Sequence, residues 1–310
     1  MAGTIVVLGP TAVGKSELGI RLALAFGGEI VNADALQVYR GLDIGTAKPS
    51  AADRERVPHH LLDIHDPRQK FSAGEFARLA TAAIADIKAR GGVPVVVGGS
   101  GLYLRALLEG IAPMPAPEPA VRAWLTERLD REGLPALYGE LAERDPPTAA
   151  RLMPNDRQRI LRALEVAVAS GRPLSEWQSA QPFGAARVTA TRIGLTLPRS
   201  VLYDRIAARV VHMHARGLAR EVQRLLDAGV PADAPAFQAI GYREIARYLR
   251  GEWTVEQALA ETVAASRRYA KRQETWWRRE ADVAWFDAVD LDGAESDALA
   301  HLDSAGFRRV

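Results

Sequence analysis

Cysteine is absent from all 310 residues, and that absence removes a good deal of chemistry. There can be no disulfide, no thiolate nucleophile and no cysteine-ligated zinc. Net charge is scarce too: 40 Lys and Arg against 38 Asp and Glu leave +2, too little to argue for a polyanionic partner from the total. No apolar run approaches the roughly 18–20 residues needed to cross a bilayer, so no membrane association is expected. The first residues lead straight into the β-rich Thr4-Ile5-Val6-Val7-Leu8, without the basic segment and cleavage site of a signal peptide. The cytoplasm is the expected compartment.

What is present reads as an ordinary globular chain, long enough for one large or two small domains. Strand and helix signals alternate over the first hundred residues, which predicts a parallel sheet covered by helices. After the first strand, Lys15–Phe26 reads as a helix and Glu29–Asn32 opens a second strand. Ala73–Arg90 places Phe76, Leu79, Ala80, Ala83, Ile84 and Ile87 on one helical stripe that Gly91-Gly92 ends. Val93–Val97 is then a continuous apolar strand suited to a sheet interior. Alternating prolines at 113, 115, 117 and 119 stiffen the chain and mark a linker. Only helices follow as far as Ala186, broken at Gly133, Pro146-Pro147, Pro154 and Gly171, with Asn155 or Asp156 placed to cap one of them. A β-rich stretch returns at Val188–Leu197, and helices continue to about Ala281. The expected organisation is an α/β core over 1–117, a helical insertion over 118–187, and completion of the core over 188–310.

Gly9-Pro10-Thr11-Ala12-Val13-Gly14-Lys15-Ser16 matches GxxxxGK[ST] at every fixed position, after a strand and before a helix. Such a loop turns successive backbone N–H groups inward around a phosphate or diphosphate. Lys15 reaches the oxygens and Ser16 is placed to ligate Mg²⁺. The motif says diphosphate without saying which. A nucleoside triphosphatase usually adds a strand ending in Asp to hold the metal. Here Val93–Val97 ends in Gly98-Gly99-Ser100, with no carboxylate.

Asp34 follows the second strand, and in a parallel sheet that end faces the same crevice as the P-loop. It could accept a proton from a nucleophile or help bind Mg²⁺, or be a solvated loop carboxylate. Between Arg267 and Arg279, six Lys or Arg residues stand against Glu274 alone. That segment is either a solvated helix face or, with Trp276-Trp277 beside it, a nucleic-acid surface. One of two adjacent tryptophans on a helix should still be core. By residue type alone His59 is equally a structural histidine, Arg205 and Arg209 equally ion-pair partners of acids such as Asp204, and Arg122 a surface residue. Tyr39, Tyr103 and Tyr242 read as partial core.

Taken together, GPTAVGKS, NADALQVYRGLDIGTAKP, PHHLLDI, GGSGLY, NDRQRILRALE, GYREI and RRYAKRQETWWRR, in this order from Gly9 to Arg279, resemble the tRNA dimethylallyltransferases. The resemblance implies a P-loop NTPase-like core and a prenyl transfer from dimethylallyl diphosphate, with Mg²⁺, to N6 of the adenine 3′-adjacent to the anticodon. It implies that the P-loop holds the donor diphosphate with help from Arg209, Arg205 and His59. Asp34 matches the general base, and Ser100 stands beside the reacting centre where the family usually has Thr. Asp34, Ala35, Leu36 and Gln37 would surround the flipped-out adenine. Arg122, the run Gln158, Arg159, Ile160, Leu161 and Arg162, the trio Gly241, Tyr242 and Arg243, and Lys271, Arg272 and Arg278 correspond to tRNA contacts. Ala35 departs from the family's usual Ser, which removes a possible hydrogen bond near the base. The expected partners are the tRNA anticodon stem-loop and the donor, with no obligate protein partner. Two competing activities share the P-loop: prenylation of free adenine nucleotides, and ATP-dependent phosphorylation of a small molecule. Neither uses the helical insertion or the basic segment.

Overall fold

The computed structural model describes residues 3–112, 114, 118–180, 188–280 and 282–310. The linker prolines at 113, 115 and 117, and the expected boundary at residue 187, lie outside these residues. The chain divides into two compact units, one of Met1–Leu108 with Arg187–Val310 and one of Glu109–Ala186.

The first unit is built on β1 (Thr4–Leu8), α1 (Lys15–Ala25), β2 (Gly28–Asn32), α2 (Ala51–Arg56), β3 (His59–His60), α3 (Ala73–Ala89), β4 (Val93–Val97) and α4 (Gly101–Leu108). Among the described residues six strands, including β5 (Ala190–Thr196) and β6 (Ala284–Asp287) contributed after the insertion, form one sheet in the order β3-β2-β4-β1-β5-β6. Every pairing is parallel. Parallel strands need crossover helices, and those helices bury both faces of the sheet. β1 and β4 are accordingly buried along their whole length, and apolar apart from Thr4 at the start of β1. The α3 stripe predicted from spacing packs as expected, with Phe76, Ala80, Ile84 and Ile87 buried.

The second unit consists of α5 (Pro119–Glu132), α6 (Leu134–Arg144), α7 (Pro146–Ala149), α8 (Arg157–Ser170) and α9 (Leu174–Ala180). Leu125, Leu137, Leu141, Ile160, Leu161 and Leu164 form its own core. Asp156 is the cap of α8, accepting the N–H of Arg159 at 3.2 Å, and Gly171 ends that helix with φ 66°. Pro146-Pro147 begins a short helix rather than only breaking one, as the missing N–H of a proline permits in a first turn.

The chain then returns with β5 (Ala190–Thr196), α10 (Arg199–Ala215), α11 (Leu218–Asp227), α12 (Tyr242–Leu249) and α13 (Val255–Trp277). β6 (Ala284–Asp287) and α14 (Leu291–Ser304) close the unit and were not anticipated. β6 is four residues long and pairs only with β5, a length at which alternation is too short to read.

Candidate active site

Because the strands are parallel, the segments leaving β1, β4 and β2 emerge side by side at one end of the sheet. The P-loop follows β1, Gly98-Gly99-Ser100 follows β4, and Asp34 lies two residues past β2. The ladder is extended beyond the strands: Gly98 N–H donates to Val7 O at 3.1 Å and Ala33 N–H to Val97 O at 2.8 Å. The backbones approach so closely that a Cβ on Gly98 would lie 2.3 Å from Ala33 O, so no side chain fits there. Such a crevice at the carboxyl ends of strands is where open α/β sheets bind ligands.

A cavity of about 400 Å³ opens there. Thr11, Ala12, Gly14, Lys15 and Ser16 form one wall, Asp34 and Gln37 another, and His59, Arg205 and Arg209 also face it. The remaining P-loop residues serve the frame, with Gly9, Pro10 and Val13 buried. Gly9 has φ 143° and no room for a Cβ against Leu195 O at 2.6 Å. Ala12 takes the left-handed region at φ 65°, a strained conformation for a residue with a side chain.

Positive charge dominates one side of the cavity. Lys15 Nζ donates to Pro10 O at 2.7 Å. Burial lowers the Lys15 pKa to about 7, with the Asp34 carboxylate opposing that shift and Arg209 adding to it. Arg209 donates to Thr11 Oγ1 at 3.2 Å, and burial lowers its pKa as well, against the pull of Asp34. Two partly buried basic groups beside each other form a site that an incoming polyanion relieves. Arg205 is tied to Ala288 O at 3.1 Å. His59 has Nδ1 2.7 Å from Val57 O, which fixes the ring; burial lowers its pKa.

Asp34 is held by its own turn. Its Oδ1 accepts the N–H of Leu36 at 2.8 Å and of Gln37 at 3.3 Å. That leaves Oδ2 for the cavity. The Gln37 amide donates to Thr46 O at 3.0 Å and Ala47 O at 3.3 Å, so its carbonyl end is the one left for a ligand. Ser100 does not line the cavity; it is buried beside Tyr269 and accepts the N–H of Ala35 at 3.2 Å. Burial, reinforced by the charge of Asp34, pushes Tyr269 up to about 12.

Tyr269 and Gln273 are among the cavity residues to which the sequence reading gave no role. They sit inside the segment read there as a basic face, and their 4-residue spacing was the available signal. Among residues matched to RNA contacts, Arg159, Gln158, Arg243, Lys271, Arg272 and Arg278 are exposed. Arg122 and Arg162 are half-exposed and face the buried Glu165 at 3.7 and 3.0 Å. Three side chains are packing residues instead. Ile160 and Leu161 belong to the helical core. Tyr242 is 0% exposed and donates to the buried Glu221 at 2.5 Å. Glu221 also accepts the N–H groups of Asp43, Ile44 and Gly45, so Tyr242 braces the loop that orients Gln37. Gly241 is buried at the start of α12, with φ 98°. Trp277 is core and Trp276 half-buried.

A family model described as IPP transferase matches residues 37–280. The tRNA dimethylallyltransferase of Geobacter metallireducens is 49% identical over 283 residues, covering 91% of this chain and 92% of the relative. Among solved structures, the full-length tRNA isopentenylpyrophosphate transferase of Bacillus halodurans is similar at TM-score 0.73 and 39% identity, covering 98% of this chain and 96% of its own. A eukaryotic dimethylallyltransferase acting on tRNA is similar at TM-score 0.83 and 29% identity, over 97% of this chain and 78% of that one. With a family model spanning most of the residues and near-half identity across almost the whole length, this chain belongs to the IPP transferase family.

Proposed function

We propose that the chain transfers the dimethylallyl group of dimethylallyl diphosphate to N6 of the adenine 3′-adjacent to the anticodon in tRNA. The observation that carries this reading is the shared cavity: the Asp34 carboxylate opens on the same space as the P-loop, Lys15 and Arg209. A diphosphate leaving group needs preorganised positive charge where its own charge grows, and Lys15, Arg209 and the P-loop amides supply it. The exocyclic amine is a weak nucleophile, so a placed base has to take its proton. Asp34 Oδ2 takes that role as the bond from C1 to the diphosphate oxygen breaks and the N6–C1 bond forms. The Gln37 carbonyl is oriented to accept the second N6 hydrogen.

Mg²⁺ fits the residues present. Ser16 is exposed and lines the same cavity as Asp34. No group of three His, Asp or Glu side chains forms a cage among the described residues. That is the donor set of an ion held chiefly by diphosphate oxygens and water, whose charge would neutralise the leaving group.

The acceptor is RNA rather than a free nucleotide on this reading because Lys271 and Arg272 on α13 and Arg278 at its C-terminal cap are exposed, and Tyr269 and Gln273 of that helix line the cavity. The adenine has to leave its stack to reach Asp34, as bases do in enzymes that modify them. The test is direct: purified protein, Mg²⁺ and labelled dimethylallyl diphosphate, offered either an anticodon stem-loop RNA or AMP. N6-dimethylallyladenosine in the RNA and little in AMP is the expected result. Equal use of AMP overturns the RNA reading, and ATP hydrolysis without prenylated product overturns the reaction.

A further inference from the structure

α13 touches two active-site loops through one side chain. Gln273 Oε1 accepts the backbone N–H of Thr11 at 2.8 Å, in the P-loop. Its Nε2 donates to Gly99 O at 2.9 Å, in the loop after β4. The side chain is 6% exposed and faces the donor cavity. A Cβ on Gly99 would stand 2.2 Å from Gln273 Nε2, so the glycine makes room for this bridge.

The contact belongs to a stripe. Tyr269, Gln273 and Trp276 are spaced i, i+4 and i+7, one face of a helix. Tyr269 stands beside Ser100, and the Trp276 ring lies against Gly101, where a Cβ would come within 2.6 Å. Lys271 and Arg278 leave the opposite side of the same helix and are exposed. One rigid element therefore carries the basic face outward and fastens the P-loop, Gly99 and Ser100 inward. A shift or stiffening of α13 carries Thr11 with it, because breaking the bond would leave the buried Gln273 carbonyl short of a partner.

We infer that Gln273 is a positioning residue that makes the geometry of the donor loop depend on occupation of the basic face of α13. It touches neither reacting atom. It fixes the direction of the Thr11 amide and, through Gly99, the spacing between the P-loop and Ser100. Contacts of RNA phosphates with Lys271 and Arg278 bias the helix toward one setting, and Gln273 passes that setting to the diphosphate site. The inference rests on the RNA-acceptor reading.

The experiment titrates inorganic diphosphate with Mg²⁺, which binds without reacting, in the absence and presence of saturating anticodon stem-loop RNA. In the unaltered protein RNA should tighten diphosphate by about 5–100-fold, the range of ordinary coupling between sites. In Gln273→Met, similar in size but unable to make either hydrogen bond, the two diphosphate affinities should agree within about twofold while RNA alone still binds. An unfolding midpoint checks that the variant is folded. Hydrogen exchange on the unaltered protein needs no variant: RNA alone should slow exchange across residues 9–16. RNA binding with unchanged diphosphate affinity and unchanged P-loop exchange overturns the coupling and leaves the RNA reading intact. Coupling that persists in Gln273→Met removes Gln273 from it, and failure to bind the stem-loop at all overturns both.

Discussion

Ser100 Oγ accepts the backbone N–H of Ala35 at 3.2 Å, tying the loop after β4 to the turn that carries Asp34. Because the bond runs to the main chain, the alanine at position 35 does not disturb it. Ser100→Ala should therefore slow transfer by loosening the Asp34 turn while the protein stays folded, and Ser100→Thr, which keeps the hydroxyl, should be close to neutral. Single-turnover rates of the two variants, compared at saturating donor and RNA, check this.

Asp34→Asn keeps the size of the side chain and the Oδ1 acceptor for Leu36 and Gln37. What it removes is the base. Turnover should fall about 10²–10⁴-fold, the usual contribution of a general base. RNA affinity, measured by filter binding, should hold, because the lost step is chemical.

Lys15 carries a pH signature. With its pKa lowered to about 7, much of it is neutral in the donor-free protein at pH 8. Diphosphate binds the ammonium, so binding takes up a proton. Affinity should fall as pH rises above about 7, by up to about tenfold per unit. Calorimetry in buffers of different ionisation enthalpy measures the uptake, and Lys15→Met gives the part due to the ligand's own titration. The sign for folding is opposite. A lysine whose folded pKa lies below its unfolded value of 10.5 lets the unfolded chain bind more protons between the two, so its contribution to stability improves as pH climbs through that window.

Replacing Lys271, Arg272 and Arg278 with Ala removes three exposed cations from one helix. RNA affinity should weaken for every sequence tested, and the slope of log affinity against log salt should flatten by up to about two or three. Binding of dimethylallyl diphosphate to the isolated protein should be unchanged.

Tyr242→Phe should act on stability rather than on RNA contact. It leaves Glu221, 1% exposed, short of one donor. A hydrogen bond to a buried charge contributes about 1.5–3 kcal/mol, which a shift in the urea midpoint will read. RNA affinity of the folded variant should match the parent.

The parts of the active site that were legible in the sequence are those fixed by local chemistry. The P-loop is one such part, since the motif needs only a strand before it and a helix after it. Asp34 is another, because a residue just past a parallel strand can face only one end of the sheet. Helix α3 could be read from spacing alone. Long-range pairings left no such mark. Nothing in the local pattern says that Gln273 meets Thr11 across 262 residues, or that Glu221 collects three amide groups from a loop some 180 residues earlier. The same blindness let the family motifs match Tyr242, Ile160 and Leu161 to RNA contacts, although Tyr242 reads as partial core by residue type, because a motif does not say which of its members point inward.

The sheet also has a history in the order of its synthesis. β1 is paired with β4 on one side and β5 on the other, and β5 begins at Ala190. At about 5–20 residues per second, roughly 10–35 s separate the emergence of β1 from that of the strand that covers its second edge. In the later part of that interval the helical unit is made, while a buried, largely apolar strand still has an open side, the kind of edge that recruits other chains. Because α5 to α9 have a core of their own, they can fold during the wait without drawing on the unfinished sheet. The vulnerable moment of this protein is thus on the ribosome, and a nascent chain stopped before residue 190 is the form most in need of a chaperone.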